Sequence, residues 1–129
     1  MKNTKQSFGY AVSGLAHALL HEENLRRFSV VQILCCGAGL FWNLSRGEWF
    51  GLIASATIFL IAELLNTAIE RLADTIDDLE KRRNAGHYHS GIRITKDVAA
   101  SASLVALLFD TSVLVLIFVP RILAVFQAL

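Results

Sequence analysis

Charge is scarce in this 129-residue chain: 18% of it is Asp, Glu, Lys or Arg against 54% hydrophobic, and the mean hydropathy is +0.51. That balance excludes a disordered tail, which stays unfolded by being charged and poor in apolar residues. Neither sign dominates, since 12 basic and 11 acidic residues leave a net charge of +1. Without a basic field to attract it, nucleic acid is not expected as a partner. Cysteine is confined to the adjacent Cys35 and Cys36, so there is no spaced second pair for a disulfide framework or a zinc site. The single proline, Pro120, falls just past the last apolar run, where a helix is expected to stop. The first apolar stretch, in MKNTKQSFGYAVSGLAHALLHEENLRR, is interrupted by polar residues with no small-residue cleavage motif after it, and no cleaved signal peptide is expected.

Apolar runs are what the sequence has instead. Residues 28–44 carry no formal charge, 49–65 carry only Glu63, and 98–119 carry only Asp110. At about 1.5 Å per residue these windows reach roughly 25, 25 and 33 Å, bracketing a hydrocarbon core of roughly 30 Å. The expectation is an all-α membrane protein with three transmembrane helices, at about 28–44, 49–66 and 98–119, forming one domain over 1–129. Ahead of them Phe8, Ala11, Val12, Leu15 and Leu19 make one helical stripe, predicting an amphipathic surface helix at about 5–25. Ten of the twelve Lys and Arg residues precede the first window or lie between the second and third. By the positive-inside rule the N-terminus and the 66–97 segment are then cytoplasmic.

The second window has no stop signal at its end, and AELLNTAIERLADTIDDLEKRR reads as continuous helix up to Asn84. Along it Glu63, Asn66, Glu70, Asp74 and Asp77 are three or four residues apart and share one face. Acids stacked this way repel one another, which is tolerable where a cation neutralises them. Hard oxygen donors with open positions suit a Mg²⁺ ion that also grips phosphates. Glu22 and Glu23 are candidate ligands from a second segment, and Lys96 a candidate for steadying a phosphate. The plainer reading, a solvated acidic face, fits Asp74 and Asp77 best; Glu63 and Glu70 are closer to the membrane, where a carboxylate is costly unless it is used. Asp110 stands alone in its window, and a structural role in a trimer or bundle contact is expected for it. His87 and His89 lie in a loop over 84–94 and are a weak metal signal; His17 and His21 read as interfacial.

The runs AELLNTAIERLAD at 62–74 and KDVAASASLVALL at 96–108, with SFGYAVSGL at 7–15 and EENLRR at 22–27, resemble the small integral membrane lipid kinases of bacteria, the prokaryotic diacylglycerol kinase and undecaprenol kinase family. LSRGEW at 44–49 is similar to the first extracellular loop of the undecaprenol kinase branch. The resemblance implies a homotrimer in the bacterial inner membrane that transfers the γ-phosphoryl of ATP, with Mg²⁺, to a lipid hydroxyl at the cytoplasmic surface, undecaprenol being preferred over diacylglycerol. It further implies Glu63 as the general base, Glu70 and Glu22 as Mg²⁺ ligands and Asn66 as the group that positions them. Lys96 and Asp97 would contact the phosphates, Tyr10 and His87, Tyr88 and His89 would hold the nucleotide, and Asp74 would support the acidic face.

Two departures stand beside the match. Asp74 and Lys96 are farther apart than is usual in the family, which implies an insertion in the connection between them, and Asn3 falls where the family often has a basic residue. Two other classes of function remain to be weighed on the intramembrane acids: a small transporter or channel, and a non-catalytic subunit whose acidic face binds a basic partner segment.

Overall fold

The structure is a computed structural model that describes residues 3–84 and 90–128. The described residues fold into four helices and no strand: α1 (Thr4–His21), α2 (Glu23–Phe41), α3 (Arg46–Asn84) and α4 (Ser90–Gln127). The two long helices, α3 and α4, pack against each other, with α2 alongside them from Phe28 on Phe59 to Trp42 on Phe118, and α1 held against α3 near Arg71.

The surface helix holds the whole Phe8–Leu19 stripe but ends at His21, short of the expected bound near 25. Glu22 leaves helical geometry, at φ −95° and ψ 115°, and serves as C-cap of α1 and N-cap of α2 at once. Its N–H closes the last turn of α1 on the Ala18 carbonyl, and its own carbonyl accepts the Arg26 N–H to open α2. The Arg26 guanidinium donates to the Leu20 carbonyl, one of the acceptors that a helix end leaves unpaired. A chain reversal is thus made at one residue, and positions 23–25 belong to α2 rather than to the surface helix.

At the opposite end, four residues join α2 to α3. Asn43, at φ 48°, takes the left-handed position past the end of α2; its N–H reaches the Leu40 carbonyl and the Leu44 N–H reaches that of Gly39. This is the paired-bond ending called a Schellman motif. It is followed at once by a capping box: Glu48 Oε2 accepts the Ser45 N–H at 2.8 Å while Ser45 Oγ accepts the Glu48 N–H at 3.4 Å. Leu44 folds back over Gly39, so that a Cβ there would lie 2.5 Å from Leu44 Cδ1 and 3.1 Å from the Trp49 ring. Leu44, Leu52, Ile117 and Phe118 form the buried cluster at this end, with Trp42, Trp49 and the half-buried free thiols of Cys35 and Cys36 against it.

Pro120 does not end α4. It sits inside the helix, where it can offer no N–H to the turn before it. Its neighbour Arg121 donates through Nη1 to the Ile117 carbonyl at 2.6 Å and through Nη2 to Glu48 Oε1 at 2.8 Å, joining this turn to the start of α3. At the other end α4 begins at Ser90, before the residue where the sequence suggests that the loop ends. The long connection is therefore mostly helix, an extension of α3 to Asn84 and of α4 from Ser90.

Both long helices are apolar enough to cross a membrane, with windows of mean hydropathy 1.9 and 2.4 that are only 22% and 28% buried within the chain. Core helices of a water-soluble domain hide most of such a surface. Here Phe50, Ile58, Leu65, Val105, Leu108 and Leu116 instead point outward, as lipid or another subunit requires.

Candidate active site

The expected acidic face of α3 is present, and it is divided by its surroundings. Glu63 is buried, at 6% exposure, while Asn66 and Glu70 are half-buried and Asp74 is exposed. Helical spacing explains the alignment: these side chains lie over one another on successive turns. What differs is the cover: α2 and α4 close over the first part of the face and leave Asp74 open, while Asp77, paired with Lys81, is half-buried.

A cavity of about 520 Å³ lies where α2, α3 and α4 meet, and Glu63, Asn66 and Glu70 all line it. From α2 come Asn24 and Arg27, and from α4 come Ser103 and Asp110. Phe28, Val31, Phe59, Leu104 and Leu107 supply apolar wall, with the rings of Phe28 and Phe59 in contact at a centroid distance of 4.0 Å. Polar groups run along the cavity from Glu70 to Asp110 beside this hydrocarbon wall, a lining suited to a ligand with both polar and apolar parts. Arg27 also pairs with Glu23 at 2.6 Å on the surface of α2. The Asn66 Oδ1 atom and the Ser103 Oγ atom are buried without a hydrogen-bond partner.

Other expected site residues are close by but not in the cavity lining. Lys96 Nζ meets Asp74 Oδ1 at 2.8 Å, tying the start of α4 to α3. Asp97 is exposed, 3.8 Å from Arg93. Glu22 accepts Arg71 Nη2 at 3.0 Å, and Arg71 Nη1 lies 2.7 Å from His17 Nε2, so the α1–α2 corner is clamped onto α3. His17 stacks on His21 with ring centroids 4.1 Å apart, a packing role consistent with their expected interfacial place. Tyr10 is exposed on α1. His87, Tyr88 and His89 lie outside the described residues. Among the described residues no three His, Cys, Asp or Glu side chains come close enough together to hold a metal ion by themselves.

Asp110 is not alone. It is 2% exposed, and its two oxygens are taken by different helices: Oδ1 accepts from Ser55 Oγ of α3 and Oδ2 from Gln32 Nε2 of α2, both at 2.7 Å. Sequence reasoning expected a bundle contact here without its partners, which are 55 and 78 residues away. Asn24 and Arg27 were visible in the sequence only as part of EENLRR, and Ser103 only as part of KDVAASASLVALL.

The prokaryotic diacylglycerol kinase profile matches residues 9–118. The chain belongs to that family. It is 30% identical over 107 residues to a diacylglycerol kinase of Pseudomonas aeruginosa, covering 83% of this chain and 80% of that one. A diacylglycerol kinase of Synechocystis is 30% identical over 105 residues, 81% of this chain and 55% of the relative. One from Helicobacter pylori is 26% identical over 102 residues, 79% of this chain and 73% of the relative. The chain is accordingly a lipid kinase, and its two long apolar helices are those of a membrane protein.

Proposed function

We propose that this lipid kinase transfers the γ-phosphoryl group of ATP to the hydroxyl of diacylglycerol at the cytoplasmic face of the bacterial inner membrane. The observation that carries the reading is the buried Glu63, which lines a cavity that has both polar groups and hydrocarbon in its wall. A lipid presents the same two kinds of surface, and its hydroxyl stands at the boundary between them. Glu63 takes the hydroxyl proton as the lipid oxygen bonds to the γ-phosphorus and the bond to the departing ADP oxygen breaks. A base of this kind must stand within hydrogen-bond reach of the hydroxyl, and the rest of phosphoryl transfer is positioning and charge neutralisation.

Glu70 and Asn66 offer a carboxylate and an unpartnered amide oxygen in the same cavity. These hard donors fit Mg²⁺, which is commonly held by one or two carboxylates plus substrate phosphates and needs no cage of three acids. When bound, Mg²⁺ would neutralise charge on the transferring phosphates. Glu22 would join the ligand set by exchanging its Arg71 partner for the metal. Lys96 and Asp97 would meet the phosphates, with Tyr10 and the 87–89 segment holding the nucleotide and Asp74 keeping Lys96 in place. In this reading α2 is a third transmembrane span with α1 on the cytoplasmic surface, and the outward apolar faces of α3 and α4 are covered by lipid and by two further copies in a homotrimer.

Undecaprenol is a second reading, favoured by EENLRR, whose Asn24 and Arg27 line the cavity. The other ground for it is the likeness of LSRGEW to the undecaprenol kinase branch; in it Ser45 and Glu48 cap α3 and Glu48 binds Arg121. Purified protein offered labelled γ-phosphate ATP, Mg²⁺ and either lipid at equal mole fraction tests the choice. Label in phosphatidic acid is expected; label in undecaprenyl phosphate alone would replace the first reading with the second.

A further inference from the structure

Hydroxyls on these helices generally satisfy themselves. Ser29, Thr57, Thr75, Thr95 and Ser112 each donate to the carbonyl four residues earlier, at 2.7 to 3.0 Å, the usual resort of a helix hydroxyl that has no other acceptor. Ser103 does not. It is 7% exposed, its Oγ makes no hydrogen bond, and it lines the same cavity as Glu63. Leaving a hydroxyl buried and unpaired is costly, so this one is held for something that enters the cavity.

Its height relative to Glu63 follows from two contacts between the antiparallel helices. Lys96 meets Asp74 and Asp110 meets Ser55, and Ser103 lies midway between Lys96 and Asp110. The matching midpoint of α3 falls between Glu63 and Asn66, so Ser103 stands level with the proposed base. The unpartnered Asn66 Oδ1 and the Glu63 and Glu70 carboxylates are acceptors, whereas the Ser103 hydroxyl can donate. A ligand hydroxyl turned toward Glu63 leaves that donor facing the atoms next in the lipid. In diacylglycerol those include ester carbonyls; in a polyprenol or a dialkyl ether lipid there is no carbonyl at all.

We infer that Ser103 Oγ donates a hydrogen bond to an ester carbonyl of the acceptor lipid, and so is a residue that selects acylglycerols over lipids whose only strong polar group is the reacting hydroxyl. This rests on the reading of the cavity as the acceptor site. The test compares diacylglycerol with the matching dialkylglycerol in mixed micelles, using the full-length wild type and Ser103→Ala. Wild type should favour the diacyl lipid. The variant should raise KM for diacylglycerol by roughly five- to tenfold, as expected for one lost hydrogen bond, leave kcat within about twofold, and leave both constants for the dialkyl lipid unchanged. A loss of equal size on both lipids would assign the hydroxyl to the reacting oxygen or to packing, and no loss on either would leave it without a substrate role; each overturns the inference. A wild type that phosphorylates undecaprenol and neither glycerolipid would instead overturn the acceptor proposed above, and the ester contact with it.

Discussion

Ser55 and Asp110 meet across the α3–α4 interface through a 2.7 Å hydrogen bond between groups that are 0% and 2% exposed. With Gln32 on the second oxygen, one carboxylate joins three helices at a depth where neither lipid nor hydrocarbon side chains offer a donor. Such groups specify a packing arrangement as well as stabilise it.

Replacing Asp110 by Leu removes both acceptors, strands the Gln32 amide and leaves the Ser55 hydroxyl only the Leu52 carbonyl at 3.2 Å. Interhelical hydrogen bonds in membranes are worth about 0.6 kcal/mol on average and up to about 1.7, so a loss of roughly 1–3 kcal/mol is expected in denaturant-induced unfolding from detergent. Asp110→Asn keeps a carbonyl acceptor and should lose less than half as much. The same variant addresses the transporter reading, which requires ATP-independent ion flux through proteoliposomes that disappears with Asp110→Asn. With both oxygens engaged inside the bundle, no such flux is expected from the wild type.

Glu63→Gln keeps the size of the side chain and removes its ability to take a proton. Loss of the base should lower kcat by roughly 10²- to 10⁴-fold while ATP binding stays close to wild type. Glu70→Gln should instead shift the Mg²⁺ titration to higher concentration. A Glu63→Gln enzyme turning over at near-normal rate would remove Glu63 as the base, and an unchanged Mg²⁺ titration would do the same for Glu70 as a ligand. Cellular function retained by the double variant would favour the non-catalytic subunit.

These residues were legible in the sequence because they share one helix: Glu63, Asn66 and Glu70 follow from spacing alone, as does the unbroken course of α3 to Asn84. Contacts between helices were not. Periodicity tells which face of α4 Asp110 occupies but not that Gln32 and Ser55 face it, and it cannot show that Ser103 lacks the carbonyl bond that Ser29, Thr57 and Ser112 make. The ends of elements failed for a different reason. Pro120 is a helix breaker by propensity, yet α4 runs through it to Gln127, and the break between α1 and α2 depends on the backbone of Glu22, a residue with no strong turn preference.

The Glu48 carboxyl is held far below its ordinary value, to about 2, first by the Ser45 N–H and then by Arg121. A carboxyl depressed in the folded state contributes stability that is complete above its unfolded pKa, near 4.5, and is lost as pH falls toward its folded one. Glu48→Gln should therefore be less stable than wild type at pH 7, with the difference shrinking as pH falls from about 4.5 toward 2. High salt should narrow the gap as well, since the Arg121 pair is only partly shielded from solvent. Unfolding midpoints of the two proteins across that pH range check the direction; a gap that widens in acid would contradict it.

Gly39 allows α2 to turn into α3 because Leu44 lies where its Cβ would be. A methyl group at that point would stand 2.5 Å from Leu44 Cδ1 with the Trp49 ring at 3.1 Å behind it. Leu44 itself is buried in the cluster with Leu52, Ile117 and Phe118, so it cannot swing aside without opening that cluster. Overpacking of this kind commonly costs about 1–3 kcal/mol, and Gly39→Ala should lower the unfolding midpoint accordingly. Gly39 lies inside α2, where alanine is the better helix former by about 1 kcal/mol, so steric crowding must outweigh propensity for the sign to hold. Truncating the obstacle should reverse the effect: in a Leu44→Ala background the same Gly39→Ala change is expected to be neutral or stabilising. Equal destabilisation in both backgrounds would locate the strain in the Trp49 contact instead.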